Sequence, residues 1–529
     1  VVTDGHRAPE SNDGHVVYVA PKKGNVMETS GLLSYSGQSR ESVTASVQAG
    51  QEYSRLRDIP DVLGWKDLAA QPDATFDALC RRASEGRVPG AVCGFPLPKP
   101  GKDDLRRLAH LHPLDDLQLR LLAGRILVGA ASCAHVHSFG ARLASGPPGW
   151  QIEPSNHAWQ CLRDVASAHI DSGRYATLVK CDIRRCYPSI SAEIVERALV
   201  SQGLDAKRIG PLVELLRGLV LVGAPGGLPI GAEASALIAG LVLGVVDRDL
   251  AEAGLAHLRY SDDSFIFVRS GASTASAYDA YCAALDSLGL EPNSEKYEEH
   301  SVADGSAWSA VQDPTVSALQ GYPAFFGDER HFVVALDEEL GQDQPNWKVV
   351  SFCLGSLRYR RSPCALPKIH DCPAVLLNLP RQVGRYMAEL SENRPTHHEV
   401  DQDWLVEQAT ADRGDAGLAA QLHACEAASR VRLGKANGQR LEEIIIGSSS
   451  CAAQQVPVRA AAAHAWAQSR AYRRRRAEDL AEEFGHYNIR RALIDAIATK
   501  CQRSSKTHSF RQKMWSADHD LEPVLERLR

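Results

Sequence analysis

The segment HLRYSDDSFIFV (257–268) limits the fold more than any other in the chain. Two short apolar runs flank a polar turn at Ser261–Asp263, so it reads as two strands folded back on each other. YATLVKCDI (175–183) is a further strand, aromatic and β-branched with its polar residues late, and it ends at Asp182. A carboxylate at one strand end and an Asp-Asp pair in a turn 80 residues later (262 − 182) can converge from separate elements. Asp-Asp pairs also stand at Asp103-Asp104 and Asp115-Asp116, where a solvated turn or helix start accounts for them. The apolar strands on both sides distinguish the pair at 262–263.

Around these strands the middle of the chain alternates helix and strand signals. Ser191 is an N-cap for SAEIVERALVSQGL. Ala232–Leu250 is small and apolar nearly all round, hence a buried helix. Ser273–Leu288 is helical again. Upstream, Arg55–Arg82 has helical apolar spacing, FPLPKPGKDDLRRLAHLHP (95–113) turns at Gly101, and Leu114–Val128 carries Asp115 and Asp116 in its first turn, where the helix dipole favours them. Past about residue 375 strand signals thin out, and helical periodicity runs through 401–436 and 456–500. Two similar helix openings, PVRAAAAHAW (457–466) and YNIRRALIDAI (487–497), stand about 30 residues apart and suggest stacked helical hairpins.

At 529 residues the chain has room for three or four domains. A hydrophobic content of 44% and a charged content of 23% are ordinary for globular proteins. The net charge of −6 does not exclude a nucleic-acid enzyme, because a basic channel can sit on an acidic body. The 13 cysteines form no CxxC pair, and the spacing of Cys353, Cys364, His370 and Cys372 matches no standard zinc pattern, so buried free thiols in a reducing cytoplasm are expected. No signal peptide opens the chain and no run approaches ~18 apolar residues, so a soluble protein without a membrane partner is expected.

Phosphoryl transfer to a growing strand needs an activated 3′-hydroxyl and a neutralised triphosphate. Two Mg²⁺ ions do both, with Mn²⁺ as a substitute, and such hard cations want converging carboxylates. Asp182, Asp262 and Asp263 offer that set.

Over roughly residues 90–300 the sequence resembles the reverse transcriptases. CDIRRCYPSI (181–190) is similar to their first palm motif, GGLPIGAEAS (226–235) to the second, RYSDD (259–263) to the third and LGLEPNSEKYE (288–298) to the element that follows. The resemblance implies an α+β fold, a right-hand fingers–palm domain with an antiparallel palm sheet, fused to an all-α C-terminal domain of HEAT-like repeats. The boundaries it implies are a loose N-terminal arm over 1–50, fingers and palm over 51–325, a thumb-like connector over 326–375 and the helical domain over 376–529. It makes Asp182, Asp262 and Asp263 the catalytic carboxylates, with the backbone of Ile183 completing one metal's shell. Tyr187 becomes the steric gate against the ribose 2′-OH. Lys99 and Arg106 would grip the triphosphate, Gly231 and Ser235 would line the dNTP site, and Lys296 would meet the pyrophosphate. Ile230 stands where the family usually has Gln, and Ser261 where Ala or Val is usual.

The LPIG variant followed by a helical region resembles the abortive-infection and unknown-group reverse transcriptases of bacteria. That resemblance implies DNA synthesis in anti-phage defence, RNA-directed or without an ordinary template, a non-coding RNA as partner in some members, and homo-oligomers. Priming from a protein hydroxyl would draw on Tyr18, Tyr35, Tyr53, Tyr472 or Tyr487. No HNH or RNase H cluster follows the palm-like region. The alternatives are a retron- or intron-like enzyme copying a bound RNA and a catalytically silent phage-sensing scaffold. YRRRR (472–476) reads as a solvated face or as a phosphate contact with Tyr472 stacking on a base.

Overall fold

In YATLVKC and DSFIFVR apolar side chains stand on both strand faces, which makes a sheet covered on both sides. A computed structural model describes residues 39–85, 89–90, 92–102, 104–130, 136–146, 149–320, 329–393, 401–447, 453–500 and 505–528. Its strands are β1 (Cys93–Pro98), β2 (Leu105–His110), β3 (Leu143–Ser145), β4 (Gln151–Ile152), β5 (Tyr175–Cys181), β6 (Ala256–Tyr260), β7 (Asp263–Arg269) and β8 (Glu298–Ser301). β1 pairs with β2 and β3 with β4, and the remaining four form an antiparallel sheet in the order β6-β7-β5-β8. Leu178, Phe265 and Phe267 face a core shared with Leu162, Ala166 and Ala307. Val179, Ile266 and Val268 face the opposite core, with the Glu233–Glu252 and Thr274–Leu288 helices. The period-two alternation thus sandwiches the sheet between helices.

The fold class is mixed α+β with an all-α C-terminal part, and several local expectations hold. Ser191 accepts a hydrogen bond from the Ile194 amide, and Ser273 caps Thr274–Leu288 in the same way. Other expectations need correction. The stretch read as a loose arm to residue 50 is helical from Arg40, in Arg40–Leu56, because Val43 and Val47 bury one turn apart against Leu114 and Leu117. Residues 1–38, with Tyr18 and Tyr35, lie outside the described residues. The helical reading of Arg55–Arg82 breaks into Lys66–Ala70 and Pro72–Ser84 after an irregular stretch containing Pro60 and Gly64. Among the described residues the last strand ends at Ser301 and the elements from Ser306 onward are helical, well before residue 375. The 326–375 segment is not separate, since Phe332, Leu336, Val349 and Cys353 share one core with the helices that follow. Cys364 is exposed rather than buried.

Three helical hairpins stack side by side in the C-terminal half: Gln402–Thr410 with Gly414–Ala428, Lys435–Ile446 with Val456–Ala467, and Arg474–Glu483 with Tyr487–Lys500. The second helices of the hairpins form one continuous layer. Their buried faces carry Ala420, Ala424, Ala461, Ala465, Ala492 and Ala496, small side chains that let neighbouring axes approach closely.

Buried ion pairs join this half to the N-terminal helices. Arg491 donates to Asp67 at 2.7 Å and to Asp61 at 2.6 Å, with all three side chains at most 3% exposed. Arg82 bridges Asp115 and Asp520. Asp115 and Asp116 are therefore buried partners of Arg82 and Arg57, not simply carboxylates placed for a helix dipole. Among the described residues no helix is long and apolar enough to cross a membrane.

Candidate active site: an acidic turn on the four-stranded sheet

The β6–β7 register pairs Tyr260 with Asp263, leaving Ser261 and Asp262 as a two-residue turn. Ser261 sits at φ 57°, a left-handed conformation costing a non-glycine residue roughly 1–3 kcal/mol unless its surroundings enforce it. They do. Arg259, 1% exposed, donates to the Ser261 carbonyl at 2.8 Å and to both oxygens of Asp247, at 2.8 and 2.6 Å. Gly140 closes the other side, where a Cβ would collide with the Ser261 backbone nitrogen. The chain at His137–Phe139 pairs with Arg259 through both of its backbone groups.

β5 lies beside β7 with Cys181 opposite Ser264, so the next residue, Asp182, stands opposite Asp263. Asp182 is 5% exposed and accepts from Asn293 Nδ2 at 2.9 Å, and Lys296 Nζ stands 3.1 Å from the same oxygen. The Asn293 amide also donates to the Asp182 carbonyl at 2.8 Å, and Ile183, buried beside it, bridges to Pro292.

The electrostatics are those of crowded carboxylates. Burial, then repulsion from Asp262 and Asp182, pushes Asp263 up to about 6. Asp262 is raised by burial and by Asp182, while Lys296 and Arg106 pull it back. Asp262 and Asp263 are half-buried, so each still presents oxygen to a ligand. Three neighbouring carboxylates are the donor chemistry a hard divalent cation takes. Among the described residues, no group of three or more His, Cys, Asp or Glu side chains is already arranged as a metal-ligand set.

The other sequence candidates fall into two groups. Tyr187, in the short Cys186–Ser189 helix, brings its hydroxyl to 3.5 Å from Ser261 Oγ, and burial raises its pKa to about 12. Arg106 on β2 lies near enough to lower the pKa of both Asp262 and Tyr187. The 226–232 loop ties these parts together, since Leu228 donates to the Tyr187 carbonyl and Ala109 of β2 to that of Ile230. Gly231 follows at φ 109°, which only glycine adopts without strain. Lys99 and Ser235 are placed differently. Lys99 pairs with Asp104 at the tip of the β1–β2 hairpin. Ser235 is 0% exposed inside the first turn of Glu233–Glu252.

Among the candidate priming tyrosines, Tyr53 is half-buried, its pKa raised by burial and by the nearby Glu233 and Tyr187. Tyr487 is 6% exposed and donates to the Asp520 carbonyl at 3.3 Å. Tyr472 packs on Trp466, with ring centroids 5.1 Å apart. In YRRRR, Arg474 pairs with Glu478, Arg476 with Glu442, and Arg473 donates to backbone carbonyls.

Arg259, Asp247, Gly140 and Asn293 were not singled out from sequence. Arg259 did leave a signal, a full charge within a short apolar strand, and a buried charge needs a partner, whereas Asp247 is masked in sequence by the adjacent Arg248 and Asp249. Gly140 and Asn293 left none, because their role is contact with remote segments. No protein-family model matches the chain, and no curated protein matches it.

Proposed function

We propose that the chain is a nucleotidyltransferase, a reverse-transcriptase-like DNA polymerase that adds dNTPs to a hydroxyl-bearing primer. The observation that carries this reading is the meeting of Asp182 with Asp262 and Asp263 at one end of the sheet, with Tyr187 against their turn. Asp182, the Ile183 carbonyl, Asp262 and Asp263 would hold two Mg²⁺ ions, or Mn²⁺, which supply an activated nucleophile and neutralise charge developing on the triphosphate. Arg106 adds positive charge on the same side, and Tyr187 fills the space beside the turn where a 2′-OH would press. Lys296 rests on Asp182, placed to shift toward the pyrophosphate when Asp182 takes another cationic partner. Resemblance to the abortive-infection and unknown-group enzymes adds the proposal of a homo-oligomeric role in cytoplasmic anti-phage defence. RNA as template, or synthesis without one, belongs to the same proposal.

The test is incorporation of each labelled dNTP by the purified chain with Mg²⁺, with and without template–primer. Incorporation that stops on chelation supports the reading. Its absence under all conditions, with nucleic acid copurified from cells included, would leave the scaffold alternative standing. Nucleotide-linked peptide in the product, read by mass spectrometry, would establish protein priming.

Two predictions arise from the geometry. Protons compete with cations for Asp263, whose pKa stands at about 6. The rise in Tm on adding ~10 mM Mg²⁺ is therefore expected to be larger near pH 8 than near pH 5.5, where the carboxylate is mostly protonated. An equal rise at both pH values would contradict it. Gly140→Ala is expected to lower incorporation roughly 10–100-fold by displacing the Ser261 turn, a shift on the order of 1 Å being enough. Unchanged kcat would show that the turn tolerates the added methyl.

A further inference from the structure

The hairpin stack has a basic edge that the acidic turn does not explain. Three helices of one layer end there, at Ala428, Ala467 and Lys500, and the residues that follow the first two, with Lys500 itself, line a cavity of ≈460 Å³. Its charged residues are Arg430, Arg432, Arg470 and Lys500, with no carboxylate among its lining residues, in a chain whose net charge is −6. Cations do gather at helix C-termini, but each terminus carries only roughly half a negative charge. Four full charges exceed what three termini call for. Arg432, Arg470 and Lys500 are exposed.

This cavity continues into a second one of ≈610 Å³, sharing Ser429, Arg430 and Gln468 with it. The second cavity adds Lys66, Arg358, Arg385 and Arg527. Four carboxylates line it too, each against a partner, Asp61 on Arg491, Glu426 on His423, Asp495 on Arg527 and Glu389 on Arg358, so Arg358 and Arg527 add no net charge there.

We infer that this edge of the hairpin stack is a groove for the sugar–phosphate backbone of a nucleic-acid strand, its phosphates met by Arg430, Arg432, Arg470 and Lys500. A strand fits better than a free nucleotide for two reasons. The groove runs through two joined cavities, and no Phe, Tyr or Trp ring lines either of them to stack a base. Binding of this kind is sequence-independent and salt-dependent. It does not depend on the polymerase reading.

The test uses the full chain carrying Asp262→Asn and Asp263→Asn in every sample, so that catalysis plays no part. Anisotropy of a fluorescein-labelled oligo-dT of ~20 nucleotides is read against salt, with and without Arg432→Gln/Arg470→Gln/Lys500→Gln. Each lost contact removes ~0.7 from the slope of log affinity against log salt, so a fall of about 2 is expected, with at least ~10-fold weaker binding at low salt. Arg432→Lys/Arg470→Lys is expected to keep the slope, which a purely structural role of these arginines would not require. If the triple variant melts early, single Arg470→Gln is expected to lose ~0.7 of slope on its own. An unchanged slope and affinity would overturn the groove, as would no binding by the parent chain. Inorganic tripolyphosphate displacing the strand at equal phosphate concentration would overturn the strand in favour of a small anion.

Discussion

Replacing both turn carboxylates, as Asp262→Asn with Asp263→Asn, is expected to lower nucleotide incorporation at least ~10³-fold while leaving the chain folded. Asparagine keeps shape and removes the charge that would hold the cations. The same change should not cost stability. Asp263 titrates at about 6 in the folded chain, above the ordinary carboxylate value, so its ionised form is disfavoured by folding. The sign follows: the penalty is present above pH about 6 and relieved as pH falls toward ~4. It amounts to roughly 1–2 kcal/mol once solvent screening of a half-buried group is allowed for. The double variant should therefore melt at or above the parent temperature near pH 8, and the difference should close toward pH 4. Loss of activity without loss of stability marks a functional site rather than a structural one. Full activity in the variant would end the proposal that these carboxylates do chemistry.

The second large effect lies far from the turn. Arg491→Met is expected to destabilise the chain by ~3–5 kcal/mol, read as a lower urea midpoint, because it leaves Asp61 and Asp67 buried without their cation. Burial alone would raise Asp61, and Arg491 outweighs it to hold that carboxyl below its usual value. Arg491→Met combined with Asp61→Asn and Asp67→Asn should recover most of the loss, since no buried charge then remains. A single variant as stable as the parent would mean that water reaches the two carboxylates. The junction between the N-terminal helices and the hairpin stack would then rest on its apolar contacts and on the Arg82–Asp520 pair.

Local chemistry made much of this legible beforehand. Ser191 as a cap, the helix over 273–288, the strand from Tyr175 and the hairpin around Ser261 depend on neighbouring residues, and such signals survive without knowledge of the rest of the chain. Arg40–Leu56 was hidden because its buried face is short and its composition is polar. The helical start at Ser306 was hidden because Ser306–Val311 is short and buries Ala307 and Val311 against the distant Leu162, Leu178 and Phe265.

The site divides the same way. Asp182, Asp262 and Asp263 were singled out by residue pattern and Tyr187 and Lys296 by the resemblance, so the sequence by itself determined which side chains are candidates for the proposed chemistry. Tertiary structure alone decided what holds them. Arg259 against Asp247, Gly140 against Ser261 and Asn293 against Asp182 are contacts between segments 12 to 121 residues apart (259 − 247 and 261 − 140). It also paired Lys99 with Asp104, left Arg106 close enough to Asp262 to be felt electrostatically, and put Ser235 out of reach of solvent. The physical reason is range. Capping, alternation and turn chemistry act over a few residues, whereas burial and charge pairing depend on which distant segments the packed chain brings together.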